Sequence, residues 1–442
     1  MHDDLCMWMF LPMSAHQSHP LTSSVFFRIL IINEKTFFIN LKEFGMANIA
    51  GALPNVVVQT TRSEKDLARL RLTTGFILIL VSLNSVLGAD WDIQWHAVIG
   101  RDRTFTPPHD MILIGIGLSG IIALASILIE TQWTRHHNEL RQWTTDFIGV
   151  LRSSTGSYLI GFGAICSAIA FPLDTYWHSL YGIDVSLWAP FHTMIYMGGM
   201  LSTFGIAYML LSAAHLAEKQ QERWTTVLSY AGVIVTLGII LSKLSTFLTP
   251  AISGKGVHLS FGTVSIFPLL LAACTIFVCV LAVRLIPWTG AATMAIVVFL
   301  LLLLTVSLFV PPMMSLLVQI EHQTYLARAS VIGSRIVPLL GQTPFLLLAS
   351  LSIDGVILLG RRAHWSPSTI KNGIVIASLV SMFFVAALTL ILLGAGTRQA
   401  QGGGGGHVAL AFLLALLLTI PGSLIGGWLG LTISGALQTL RR

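Results

Sequence analysis

Charged side chains are scarce in this chain. Of its 442 residues only 10% are Asp, Glu, Lys or Arg, whereas roughly 25% is usual for a soluble domain. Hydrophobic side chains make up 54%, and the mean hydropathy is +0.80. This composition excludes a soluble globular protein, a disordered chain and a nucleic-acid-binding domain. It predicts an integral membrane protein whose main partner is membrane lipid.

Cysteine is also rare. The chain has four cysteines and no Cys-x-x-Cys pair, and three of the four lie within apolar runs. A thiol in such a run behaves as a small hydrophobic group. A disulfide framework and a thiolate metal site are therefore both disfavoured.

Residues 1–45 lack the features of a signal peptide, because they contain no long apolar core and no small-residue cleavage site. Met46 opens a segment more typical of a membrane protein, with basic residues ahead of the first apolar run. We therefore interpret residues 1–45 as a candidate over-extended start that is not part of the fold.

Apolar runs of about 20 residues, the length of a membrane-spanning helix, recur along the remaining chain. They predict an all-α, polytopic membrane helical bundle with about ten transmembrane helices. The predicted spans are 71–89, 109–131, 154–173, 191–216, 225–247, 260–286, 290–310, 335–360, 373–395 and 407–433.

Basic residues predict the orientation of these helices. Among residues 46–442, the side that contains both termini has fifteen Lys and Arg, and the opposite side has seven. Because cytoplasmic loops are enriched in positive charge, we expect both termini to be cytoplasmic in a multi-pass protein of the cytoplasmic (inner) membrane. The loop after the first helix and the loop after the third then face outward.

These two outward loops contain an internal repeat. Residues 92–109 are DIQWHAVIGRDRTFTPPH, and residues 174–192 are DTYWHSLYGIDVSLWAPFH. Both contain Asp-x-x-Trp-His, then Gly-x-Asp, an aromatic residue, Pro and a final His. This agreement at polar positions indicates that the first two helical hairpins are duplicates.

The spacing within each repeat predicts a metal site. Residues four positions apart lie on the same face of a helix. Asp92 and His96 have this spacing. The chain then turns and re-enters a helix at Pro, which suits the first helical turn, and this returning helix begins close to His109. The corresponding residues of the second repeat are Asp174, His178 and His192.

Two imidazoles and one carboxylate suit copper(II), zinc or non-haem iron(II), and the spacing does not choose between these metals. The alternative interpretation is that the same residues form hydrogen bonds at the membrane interface. In both interpretations Trp95, Trp177 and Trp188 are expected to be interfacial anchors at the headgroup level.

The segment WHAVIGRDRTFTPPH, residues 95–109, resembles the signature of the C-type subunit of the copper membrane monooxygenases, the particulate methane and ammonia monooxygenases. By this resemblance Asp92, His96 and His109 would bind copper. The family also has a second cluster, in which an Asn precedes two His. Here Asp174 replaces the Asn, whereas His178 and His192 are kept, so the resemblance implies a second and more negatively charged metal site.

The resemblance divides the chain into a membrane domain similar to that C-type subunit, 46–289, and an additional four-helix membrane region, 290–442. It implies a copper-binding protein that works beside the A-type and B-type subunits of the monooxygenase and supports dioxygen activation and oxidation of a small apolar or amine substrate. The alternative is a copper-handling, transport or sensing membrane protein without oxygenase activity. No catalytic residue and no site for an organic cofactor are predicted.

Overall fold

A computed structural model of the chain describes residues 63–99, 105–182, 188–252, 256–259, 262–325, 343–397 and 405–439. Residues 1–45 lie outside these ranges. Helices dominate, which confirms the predicted all-α polytopic bundle. The helices are α1 (Glu64–Val98), α2 (Pro107–His136), α3 (Thr155–Tyr181), α4 (Pro190–Lys219), α5 (Arg223–Ile252), α6 (Phe267–Leu285), α7 (Ala291–Ile320), α8 (Leu346–Arg362), α9 (Pro367–Thr397), α10 (Gly405–Leu417) and α11 (Thr419–Thr439).

Local sequence signals set where these helices begin. The Ser63 side chain accepts from the backbone N–H of Asp66, and the Asp66 carboxylate accepts from the backbone N–H of Ser63, which forms a capping box at the start of α1. Pro107 begins α2 and Pro190 begins α4. The prediction that each returning helix begins at Pro is therefore confirmed.

Within the described residues, nine helical segments are long and apolar enough to cross a membrane. The predicted span 335–360 corresponds to α8, which has 17 residues and begins only at Leu346. The predicted span 407–433 is interrupted at Leu418, between α10 and α11. Pro421 explains the interruption, because its ring blocks one helical hydrogen bond and crowds the carbonyl four residues earlier.

Two short hairpins were not predicted. Strand β1 (Thr145–Phe147) pairs antiparallel with β2 (Leu151–Ser153), and β3 (Gly256–Leu259) pairs antiparallel with β4 (Gly262–Ser265). The second hairpin occupies the start of the predicted span 260–286, so α6 begins only at Phe267. A 3-10 helix, Asn138–Trp143, precedes β1.

Helices α1, α4, α5, α6 and α7 supply most of one hydrophobic core. Leu237 and Ile240 of α5 belong to the same core as Ile296 and Phe299 of α7. The described parts of the segments 46–289 and 290–442 therefore pack together. A second core joins the C-terminal part of α1 to α7, through the rings of Trp91 and Phe309, whose centroids are 5.9 Å apart.

Glycines allow some helices to approach very closely. On α3, a Cβ added at Gly163 would collide with the backbone of Gly198 on α4, and a Cβ at Gly156 would lie 2.6 Å from the carbonyl oxygen of Gly205. Small residues at such interfaces are typical of packed membrane helices. This contact fixes the distance between the two helices of the second repeat.

We expect Gly163→Ala to lower the melting temperature of the detergent-purified protein. The new methyl group overpacks a rigid backbone contact, a change that costs about 1–3 kcal/mol and exceeds the gain of up to about 1 kcal/mol in helix propensity. Gly161→Ala on the same helix is the matched control, because its Cβ would meet Ala123 at 3.9 Å, an ordinary contact. Equal melting temperatures for the two variants would contradict the close approach.

Candidate metal centres

The first repeat brings its three predicted ligands together. Asp92 and His96 lie near the C-terminal end of α1, and His109 lies in the first turn of α2. The Oδ1 atom of Asp92 is 3.0 Å from Nε2 of His109 and 3.5 Å from Nε2 of His96. One carboxylate oxygen therefore faces two imidazole nitrogens that belong to different helices.

The second repeat reproduces this arrangement on α3 and α4. The Oδ2 atom of Asp174 is 3.3 Å from Nε2 of His178 and 3.1 Å from Nε2 of His192. The Nδ1 atom of His178 lies 3.1 Å from the carbonyl oxygen of Gly182, a contact that orients the ring. A backbone partner on the far ring nitrogen is the usual outer-shell arrangement of a metal-ligating histidine.

The donor separations fit a small metal ion. In each cluster one ligand atom from each of the three residues lies within 4.8 Å of the others. Donors that share a tetrahedral ion at bond lengths of about 2.0–2.1 Å are separated by about 3.3 Å. The distances of 3.0–3.5 Å from carboxylate to imidazole bracket that value, although they also permit Asp–His hydrogen bonds.

Both clusters are shielded from bulk water. The side chain of His96 is 7% exposed and that of His109 is 11% exposed, whereas those of Asp174 and His178 are each 14% exposed. In the second cluster, the other carboxylate oxygen of Asp174 is buried without a hydrogen-bond partner among the described residues. A buried, unsatisfied carboxylate oxygen is costly unless a cation or a donor occupies the position next to it.

The clusters lie beside each other. The His109 ring contacts the ring of Phe171 edge-on, with centroids 5.7 Å apart, and Phe171 precedes Asp174 by one turn on α3. This ring contact therefore connects the two clusters.

The tryptophans of the repeats do not share one role. Trp95 is only 2% exposed and packs in the core between α1 and α7, so its predicted place as an interfacial anchor is wrong. Hydropathy cannot distinguish a lipid-facing ring from one that faces another helix. Trp177 is half-buried, and its ring contacts that of Tyr181 at a tilt, with centroids 4.4 Å apart, whereas Trp188 is 41% exposed.

Sequence reasoning gave no site role to two ionisable residues, Asp90 and Lys243. Asp90 and Lys243 line a cavity next to the clusters. For Lys243 the signal was present, since an ionisable residue inside a predicted span, here 225–247, is a functional candidate by default. Asp90 lies one residue beyond the predicted span 71–89. Asp354 accepts hydrogen bonds from the backbone N–H and the hydroxyl of Thr293, and so caps the start of α7.

The fold and the paired clusters define a class, a multi-pass helical membrane protein with two adjacent Asp-His-His groups. Comparison of the chain with protein-family models, with curated proteins and with solved structures finds no match.

Proposed function

We propose that this protein is a copper-binding membrane protein similar to the C-type subunit of the copper membrane monooxygenases. In this proposal Asp92, His96 and His109 hold one metal ion, and the second cluster holds another. The observation that supports it most strongly is the duplicated geometry, in which a single carboxylate oxygen lies 3.0–3.5 Å from two imidazole nitrogens in both hairpins.

The donor set suits copper(II), zinc and non-haem iron(II), and it is the resemblance to the monooxygenase subunit that favours copper. A copper ion bound there would supply dioxygen activation for oxidation of a small apolar or amine substrate. The protein's own contributions are orientation and exclusion of water.

The A-type and B-type subunits of such a monooxygenase are the proposed partners. A second candidate function is copper handling, transport or sensing without oxygenase activity. The packing of α7 against the first hairpin supports this candidate, because Trp91 and Trp95 connect the cluster to the additional helices beyond residue 290. Copurification of the tagged chain with A-type and B-type partners would support the first function, and metal-dependent transport by the chain alone would support the second.

The proposed orientation places both clusters near the outer face of the cytoplasmic membrane. Cysteines introduced at positions Asp102 and Asp184 should react with an impermeant thiol reagent added to intact cells, and cysteines at His137 and Lys219 should not. The experiment uses a chain whose native cysteines are replaced by Ser. The reverse labelling pattern would place the clusters on the cytoplasmic side.

Asp174→Asn should weaken divalent-metal binding at the second cluster by at least about tenfold, because a neutral carbonyl replaces an anionic donor of the same shape. Binding should also become less sensitive to acid. In the intact protein, lowering the pH protonates the carboxylate as well as the imidazoles and so competes with the metal, whereas the Asn variant has one fewer proton to lose.

Titration of metal-free protein with copper(II) at several pH values would measure both effects. Asp146→Asn is the control, because Asp146 is an exposed carboxylate on β1 that pairs with Arg152. If Asp174→Asn left the affinity and its pH dependence unchanged while His178→Ala abolished binding, then Asp174 would not be a ligand.

A further inference from the structure

A cavity lies among α1–α5, displaced from the two clusters toward the middle of the helices. Its volume is about 80 Å³, several times the ~10–15 Å³ that one buried water needs. On α2 its wall includes Ile112, three residues after His109. On α4 its wall includes Tyr196, four residues after His192. The end of the cavity nearest the clusters is therefore one helical turn from both of them.

One wall of the cavity has a buried ammonium group. The Nζ atom of Lys243 donates to the carbonyl oxygen of Gly199 at 2.9 Å and to the hydroxyl of Thr203 at 2.7 Å. Both acceptors are neutral, and within the described ranges no carboxylate lies within ion-pair distance of this ammonium. Because an ammonium has three N–H donors, one remains for a group inside the cavity.

A carboxylate faces the same space. Oδ1 of Asp90 accepts from the hydroxyl of Thr246 at 3.4 Å, a long hydrogen bond. Thr246 follows Lys243 by three residues on α5, which corresponds to a rise of about 4.5 Å along the helix. The two α5 residues associated with the negative and the positive group are thus offset by about one helical turn along that helix.

The rest of the lining is amphipathic. Ser82 is 6% exposed, and its buried hydroxyl has no hydrogen-bond partner in the described part of the chain. Ile116 and Ile206 add apolar surface. A site with a few placed polar groups and an apolar wall is typical of small-molecule recognition.

We propose that this cavity binds a small zwitterion of the ω-amino acid class, with its amine on Asp90 and its carboxylate on Lys243. Ionisable groups within membrane spans are costly unless they are paired. A zwitterion pairs both without adding net charge to the cavity. An apolar ligand would leave both unpaired, and a simple anion or cation would pair only one. This inference is independent of metal binding.

The test uses γ-aminobutyrate as the probe, with butyrate and butylamine as matched ligands that each lack one charge. Binding to the full-length, metal-free protein in lipid nanodiscs is measured by equilibrium dialysis. γ-Aminobutyrate should bind saturably and at least about tenfold more tightly than butyrate or butylamine. This is the difference in affinity expected for one charge-assisted hydrogen bond.

Three variants separate the contributions. Lys243→Met should weaken γ-aminobutyrate and butyrate at least about tenfold and leave butylamine unchanged. Asp90→Asn should weaken γ-aminobutyrate and butylamine instead. Ser82→Leu fills the cavity without altering either charge and should abolish binding of all three ligands. Lys371→Met removes an exposed Lys of α9 and should change nothing.

The proposal is overturned if γ-aminobutyrate does not bind saturably, or if it binds no better than butyrate or butylamine. It is also overturned if Ser82→Leu leaves binding intact. This variant keeps the proposal testable even if Lys243→Met fails to fold. Any of these overturning results would mean that water alone bridges Asp90 and Lys243.

Discussion

Replacing His96, His109 or Asp92 by Ala should each remove about one metal ion per chain, and the second cluster should keep its ion. Each change deletes one of three protein donors, which is more damaging than the 10 to 100-fold loss of affinity typical of an outer-shell change. The effect should be similar for all three residues, because the Asp92 oxygen lies within 3.5 Å of both imidazoles.

Elemental analysis of the purified variants would measure this loss. His136→Ala is the control, because His136 is an exposed residue at the opposite end of α2. Unchanged stoichiometry in all three variants would show that the first cluster is a hydrogen-bonded group and not a metal site.

Arg71→Met should lower the free energy of unfolding by about 3–5 kcal/mol, because it leaves a buried carboxylate without its partner. The Nε and Nη2 atoms of Arg71 donate to the two carboxylate oxygens of Glu130 at 3.0 and 2.7 Å, and both side chains are 0% exposed. The backbone N–H of Ser154 also donates to Glu130, so this pair connects α1, α2 and the start of α3.

Two further variants make the test specific. Arg152→Met breaks an exposed pair with Asp146 and should cost no more than about 1 kcal/mol. The double variant Arg71→Met/Glu130→Met should recover much of the lost stability, since it removes the unpaired charge. Denaturant unfolding in detergent would compare all of them. Equal losses for Arg71→Met and Arg152→Met would contradict the importance of burial.

The sequence predicted the features that depend on neighbouring residues. Runs of about 20 apolar residues located most of the spans, because a bilayer demands that length from a helix. The four-residue interval from Asp92 to His96 placed both on one helix face, and the nearby Pro pair marked the start of the returning helix that brings back His109. Both clusters therefore contain the residues that the repeats predicted.

Features that depend on distant residues were not predictable. Arg71 and Glu130 are 59 positions apart, and nothing local indicates that they pair. Trp95 was assigned to the interface because hydropathy does not specify which neighbour a ring contacts, and the structure packs it against α7. The cavity likewise needs five helices, so the common environment of Asp90 and Lys243 emerges only from the packing.

The most direct test of copper binding is elemental analysis of the intact chain after extraction from membranes, alongside the double variant His96→Ala/His178→Ala. We predict about two copper ions per chain in the intact protein and essentially none in the double variant, because each cluster loses one of its three donors. Zinc or iron in place of copper, or equal copper in the two proteins, would contradict the proposal.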